Sequence, residues 1–137
     1  MEIHVKVIPH SEQKYETCGD WWWEGDTLEI RVSELGNPTW EFLIAAHEED
    51  EAMGCKKDGI KVEDIDAFDI AYEEARKNKT AAPCGCVPSP ISEPGDDHHA
   101  PYFIWHQIAT TFEKRRAAVL HVDWKAYDKK VTELSQI

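Results

Sequence analysis

The chain is predicted to be a small α+β protein in which a short sheet precedes three to four helices. Three observations predict this. Apolar residues alternate at every second position in the first third. From about residue 40 onward they recur every three or four positions. A hairpin signal joins two of the alternating segments.

The elements follow in order. Ile3, Val5 and Val7 alternate with His4 and Lys6, which predicts a first strand. Residues 9–19 are a polar connection. Trp21, Trp22 and Trp23 are followed by Glu24, Gly25 and Asp26, and then by Thr27 to Ser33, in which Leu28, Ile30 and Val32 share one face. An aromatic run, a glycine turn and a β-branched run predict a hairpin. With the first strand it gives a small antiparallel sheet.

Gly36, Asn37 and Pro38 interrupt the chain, and Thr39 is a candidate cap for a helix from about Trp40 to Cys55. Lys56 and Lys57 suit the negative end of its dipole. A second helix covers roughly Val62 to Lys77, with Ile65, Phe68, Tyr72 and Ala75 at helical spacing. Residues 78–100 hold four of the seven prolines and read as a long loop within one domain spanning 1–137. A third helix is expected from Pro101 to about His121, with Tyr102, Trp105, Ile108, Phe112 and Val119 facing the core. A short last helix carries Trp124, Tyr127, Val131 and Leu134.

Charge narrows the function. Twenty-seven acidic against fifteen basic residues give a net charge of -12, which repels phosphate backbones and argues against direct nucleic-acid binding. The same surface suits cations or a basic protein partner. No segment reaches the roughly 18 apolar residues needed to span a membrane. The N-terminus is too charged for a secretory leader, so a cytoplasmic location with reduced cysteines is expected. Phosphate-cradling glycine loops and a G-x-S-x-G elbow are absent.

Chemistry concentrates on the first helix, which reads His47-Glu48-Glu49-Asp50-Glu51. His47 and Glu51 are four apart and so share a face. In H-E-x-x-H strings two histidines bind zinc and the glutamate activates water. Here a glutamate takes the last place, and imidazole plus carboxylate still suits Zn²⁺, Mn²⁺ or Fe²⁺. His47, Glu48 and Glu51 continue the apolar stripe of Trp40, Leu43, Ile44 and Cys55, whereas Glu49, Asp50 and Lys57 lie opposite. A buried carboxylate needs a positive partner: a metal ion, or else Arg115, Arg116 or a lysine. His106 is the expected third ligand, because a helix holds a ligand rigidly. Glu93, Asp96, Asp97, His98 and His99 are loop alternatives. Tyr102 and Glu113 lie on the side of His106. Asp66 and Asp69 are placed to orient ligand imidazoles or to hold a second ion. With Glu48 and Glu51 they could instead bind Mg²⁺ for nucleotide phosphate hydrolysis. Cys84 and Cys86 with His98 and His99 form a possible zinc clip for the loop. Cys55 reads as a small buried hydrophobe. The three tryptophans, if exposed, would mark a protein-docking ribbon.

The order of sheet, H-E-x-x-E helix and further helices resembles the minimal zincin-type metallopeptidase arrangement. The chain is also similar to small bacterial and phage-type proteins with H-E-x-x-E-A (His47 to Ala52), an Asp-Ala-Phe-Asp stretch (within Ile65 to Asp69), Glu-Pro-Gly-Asp (Glu93 to Asp96), and Ala-Pro-Tyr followed by a histidine (Ala100 to Tyr102, His106). The zincin resemblance implies His47 as a ligand, Glu48 as the water-activating base, and a peptide or small-molecule substrate. The likeness to phage-type proteins also allows an interaction or inhibitor role. Glu51 departs from the histidine of the zincin motif.

Overall fold

A computed structural model of the chain describes residues 1–136. It contains strands β1 (Glu2–Ile8), β2 (Gly19–Glu24) and β3 (Thr27–Ser33), and helices α1 (Pro38–Lys57), α2 (Val62–Asn78), α3 (Phe103–Val119) and α4 (Trp124–Ser135). The class is α+β. Among the described residues no helix is long and apolar enough to cross a membrane.

The hairpin forms as expected: β2 and β3 pair antiparallel, with Trp21 opposite Ile30. The sheet as a whole is not antiparallel. Its order is β1-β3-β2, and β1 runs parallel to β3 from the Glu2–Thr27 pair to the Ile8–Ser33 pair. Residues 9–18 make this possible. They carry the chain past two strand spacings, about 10 Å, so that β3 inserts between the first two strands. Burial follows from the order. Leu28, Ile30 and Val32 of the central strand are fully buried, while Ile3, Val5 and Val7 of the edge strand stay largely exposed.

Helix α1 lies between the sheet and α3, so it buries nearly its whole middle rather than one narrow stripe: Leu43 to His47, then Glu51, Ala52, Gly54 and Cys55. Its cap is Asn37, not Thr39. The Asn37 Oδ1 accepts from the backbone N–H groups of Thr39 and Trp40, and Pro38 takes the first helical position, where a missing N–H costs nothing. Its contacts with α3 run in opposite order along the two helices, pairing His47 with Glu113, Glu51 with His106 and Gly54 with Trp105. Gly54 sets the closeness of that approach: a Cβ there would fall 2.0 Å from the Trp105 indole.

Of the apolar stripe expected on α3, Tyr102 is buried and Trp105 packs against the core, but the rest of the inward face is not apolar. Its buried residues are His106, Ala109, Glu113 and Ala117, preceded by buried Tyr102, while Phe112 is 43% and Val119 76% exposed. Two stripes on this helix share the same period, so spacing alone cannot choose between them. The small alanines admit the neighbouring helix, and the two polar side chains find partners there.

Candidate metal centre

His47 and Glu51 project from one face of α1, and His106 meets them from α3. His47 Nε2 lies 3.3 Å from Glu51 Oε2 and 3.3 Å from His106 Nδ1, and His106 Nδ1 lies 3.0 Å from the same carboxylate oxygen. All three residues are buried.

The far side of each group is already occupied. His47 Nδ1 is 2.7 Å from Glu113 Oε1, and Tyr127 donates its hydroxyl to Glu113 Oε2 at 2.6 Å. A carboxylate only accepts, so the proton that neutral His47 keeps sits on Nδ1 and its Nε2 faces the centre. His106 Nε2 faces Asp96 Oδ1 at 3.3 Å and Glu93 Oε2 at 3.6 Å, while its Nδ1 donates to Glu51 Oε2; loss of that proton leaves an inward Nδ1 lone pair with Nε2–H held by Asp96. Trp21 donates its indole N–H to Glu51 Oε1 at 3.0 Å, leaving Oε2 for the centre. Once both imidazoles give up their inward protons, three lone pairs converge on one point. Zinc at its usual 2.0–2.1 Å bond lengths has tetrahedral donor–donor edges of about 3.3 Å. The observed edges of 3.0, 3.3 and 3.3 Å fit that ion without rearrangement.

No protein cation competes for the place. Among the described residues Arg116 pairs with Asp50, Arg76 with Glu73, Arg31 with Glu29 and Lys14 with Asp20. Arg115 is exposed. None of these touches the three converging groups.

Protons fill the centre in the metal-free chain. Burial pulls the His47 pKa down, but Glu113 and Glu51 outweigh it and raise it to about 10. Burial pushes Glu51 up, but His106 and His47 outweigh it and bring it to about 2. The raised histidine stabilises the fold fully below pH 6.5 and loses that contribution as pH rises through about 10. The lowered acid stabilises it above pH 4.5 and loses its contribution as pH falls through about 2. Burial lowers the His106 pKa too, but Asp96, Glu51 and Glu93 outweigh it and raise it further still. Zinc must displace one proton from each imidazole, so the zinc affinity of the metal-free chain is expected to rise about a hundredfold per pH unit up to about pH 10. Calorimetry in buffers of different ionisation enthalpy checks this, and an affinity flat over that range would contradict it.

Glu48 is half-buried and has no hydrogen-bond partner among the described residues. It lines a cavity of about 110 Å³ shared with His47, Glu51, His106, Asp66 and Asp69. Gly19 of β2 leaves room for it: a Cβ there would stand 2.6 Å from Glu48 Oε1. Burial, then the charge of Glu51, hold the Glu48 pKa well above the ordinary carboxylate range. Such a group takes up a proton readily.

Two expected roles change. Asp69 does not orient an imidazole. Its two oxygens accept from Tyr102 at 2.7 Å and Tyr15 at 2.8 Å, and burial raises its pKa to about 7. Asp66 lines the cavity but bonds to neither histidine, so it does not orient them either. Tyr102 acts through its ring, which stands edge-on to His106 at 6.1 Å between centroids. Glu113 alone of the four bonds directly to an imidazole of the centre, that of His47. Cys55 is fully buried, as expected, and burial pushes its thiol up to about 12.

Trp21, Tyr127 and Gly19 were not foreseen. A polar tip on a buried aromatic residue needs an acceptor, and that is the signal by which Trp21 and Tyr127 could have been found. The ribbon of tryptophans is not a free surface: Trp21 is buried, Trp22 lies under Lys14 and Arg31, and Trp23 lies under Lys56. No protein-family model, curated protein or solved structure matches the chain.

Proposed function

We propose that the chain is a metal-dependent hydrolase of zincin-like type that acts on a peptide or amide bond. One observation carries this: two imidazole nitrogens and one carboxylate oxygen converge within 3.3 Å, each held from behind by another protein group. Two histidines and one glutamate, with a fourth position open, are a donor set of catalytic zinc sites. The departure of Glu51 from the zincin motif therefore exchanges the places of the second histidine and the carboxylate and keeps the set.

Zn²⁺, or Mn²⁺, suits two nitrogen donors. When bound, such an ion supplies Lewis acidity and a hydroxide nucleophile at neutral pH. The chain's own groups do the rest. Glu48, on the open cavity, takes the proton of the attacking water and passes it to the leaving nitrogen. His47, Glu51 and His106 are kept in place by Glu113, Trp21 and Asp96. Mg²⁺ and nucleotide hydrolysis form the weaker reading, since Mg²⁺ prefers oxygen donors.

The test uses zinc-loaded chain against libraries of quenched peptides and acyl amides. Glu48→Gln is expected to lower turnover by about 10²–10⁴-fold with zinc content unchanged. Gly19→Ala, whose Cβ would press on the Glu48 side chain from Cγ to the carboxyl group, is expected to displace Glu48 and lower turnover with zinc content unchanged. Full turnover in Glu48→Gln, or no cleavage by the wild type, would contradict the proposal.

A further inference from the structure

The long segment between α2 and α3 carries a second cluster, none of whose side chains bonds to the His47 centre. Gly85 turns the backbone between Cys84 and Cys86 with φ at +89°, a conformation that glycine adopts without strain. Two hydrogen bonds close the turn, from Gly85 N–H to the Ala82 carbonyl and from Ala82 N–H to the Cys86 carbonyl, each 2.8 Å. Both thiols are thereby brought to Asp97. Donor atoms of Cys84, Asp97 and His99 all lie within 4.8 Å of one another. His99 Nδ1 is 3.0 Å from Asp97 Oδ1, and Cys86 Sγ donates to Asp97 Oδ2 at 3.8 Å.

The Asp97 side chain is only 7% exposed, and among the described residues no lysine or arginine pairs with it. Its partners are the His99 backbone N–H at 2.8 Å, the His99 ring and the Cys86 thiol, so this covered carboxylate has no permanently charged cation beside it. Zinc bonded to sulfur at about 2.3 Å and to nitrogen or oxygen at about 2.0 Å has donor edges of about 3.3–3.8 Å, close to the 3.0 and 3.8 Å contacts of Asp97 with His99 and Cys86. The zinc clip expected from the sequence changes one member. His98 packs its ring against Phe103, at 6.1 Å between centroids, and Asp97 stands in its place.

The geometry points to a thiolate-rich metal site in which Cys84, Cys86, Asp97 and His99 hold zinc or another thiophilic divalent ion. Both thiols lose their protons to solvent on binding. Four protein donors leave no open position, so the site is structural rather than catalytic. It ties residues 84–86 to 97–99. That fastens the turn whose Gly95 lies so close to His106 that a Cβ would fall 2.6 Å from its ring. The inference does not rest on hydrolase activity.

Cobalt(II) titration of the reduced, metal-free full chain tests it. A near-ultraviolet thiolate-to-cobalt absorption is expected, saturating at one ion per chain in the His47→Ala background, where the other centre is disabled. It should persist in His47→Ala and vanish in the Cys84→Ser/Cys86→Ser double variant. Cys86 is exposed and Cys84 half-exposed, so the double variant keeps the core intact. Absence of the band from the wild type, or its persistence in the double variant, overturns the assignment. Loss of cobalt from the other centre alone leaves this band unchanged, which keeps the two sites apart.

Discussion

Glu113→Ala is expected to weaken zinc binding about 10- to 100-fold although every ligating side chain remains. Glu113 reaches His47 from α3 and is itself held by Tyr127 of α4. Without it the Nδ1 proton of His47 has no acceptor, the ring is free to rotate, and the tautomer that faces Nε2 inward is no longer selected. Tyr127 is 1% exposed, so its hydroxyl also loses its partner in a dry place, at a cost of about 1–3 kcal/mol in stability. Tyr127→Phe separates the two effects. It removes one bond to Glu113 and leaves the bond to His47, so its zinc affinity should fall less. Competition with a chromophoric chelator measures both variants. Equal affinity in wild type and Glu113→Ala would mean that the carboxylate supports the core and not the centre.

Arg76→Ala is expected to lower stability by about 3–5 kcal/mol, a large part of the 5–15 kcal/mol typical of a domain. The Arg76 side chain is buried and spends all of its donors inside the protein. It bonds to Glu73 at 2.7 and 3.0 Å, to the carbonyls of Pro90 and Ser92 at 2.8 and 3.2 Å, and to that of Ser135 at 2.8 Å. Truncation leaves a buried carboxylate without its counter-charge and three carbonyls without donors. Replacing both partners with apolar residues should cost less, because no lone charge remains. Urea unfolding gives the midpoints. The segment held by Arg76 leads directly to Glu93 and Asp96 at His106, so the folded fraction should also bind zinc less tightly. A midpoint within experimental scatter of wild type would show that water replaces these bonds.

Much of this architecture was legible in the residues. The hairpin and the first two helices are local: their signals are a glycine turn, a proline after a capping residue, and apolar spacing. The inward direction of His47, Glu48 and Glu51 was legible too, because they continue the line of Leu43 and Ile44. His106 followed from the demand for a third donor on a rigid element. The parallel pairing of β1 was not legible, since strand order depends on contacts distant in sequence and the alternation of Ile3, Val5 and Val7 is the same in either direction. The inward face of α3 was misread because Phe112 and Val119 have the period of a core stripe while the buried positions are alanines and polar side chains. Trp21 and Tyr127 read as packing residues, and only the fold shows their polar tips on Glu51 and Glu113.

The central claim is that His47, Glu51 and His106 form one binding site for a divalent ion. It is tested most directly by titrating metal-free chain with Zn²⁺ in the Cys84→Ser/Cys86→Ser background, where the loop thiols cannot contribute. One tight equivalent per chain is predicted, removed by adding His47→Ala. No tight equivalent in the parent, or an unchanged one after His47→Ala, would contradict the account.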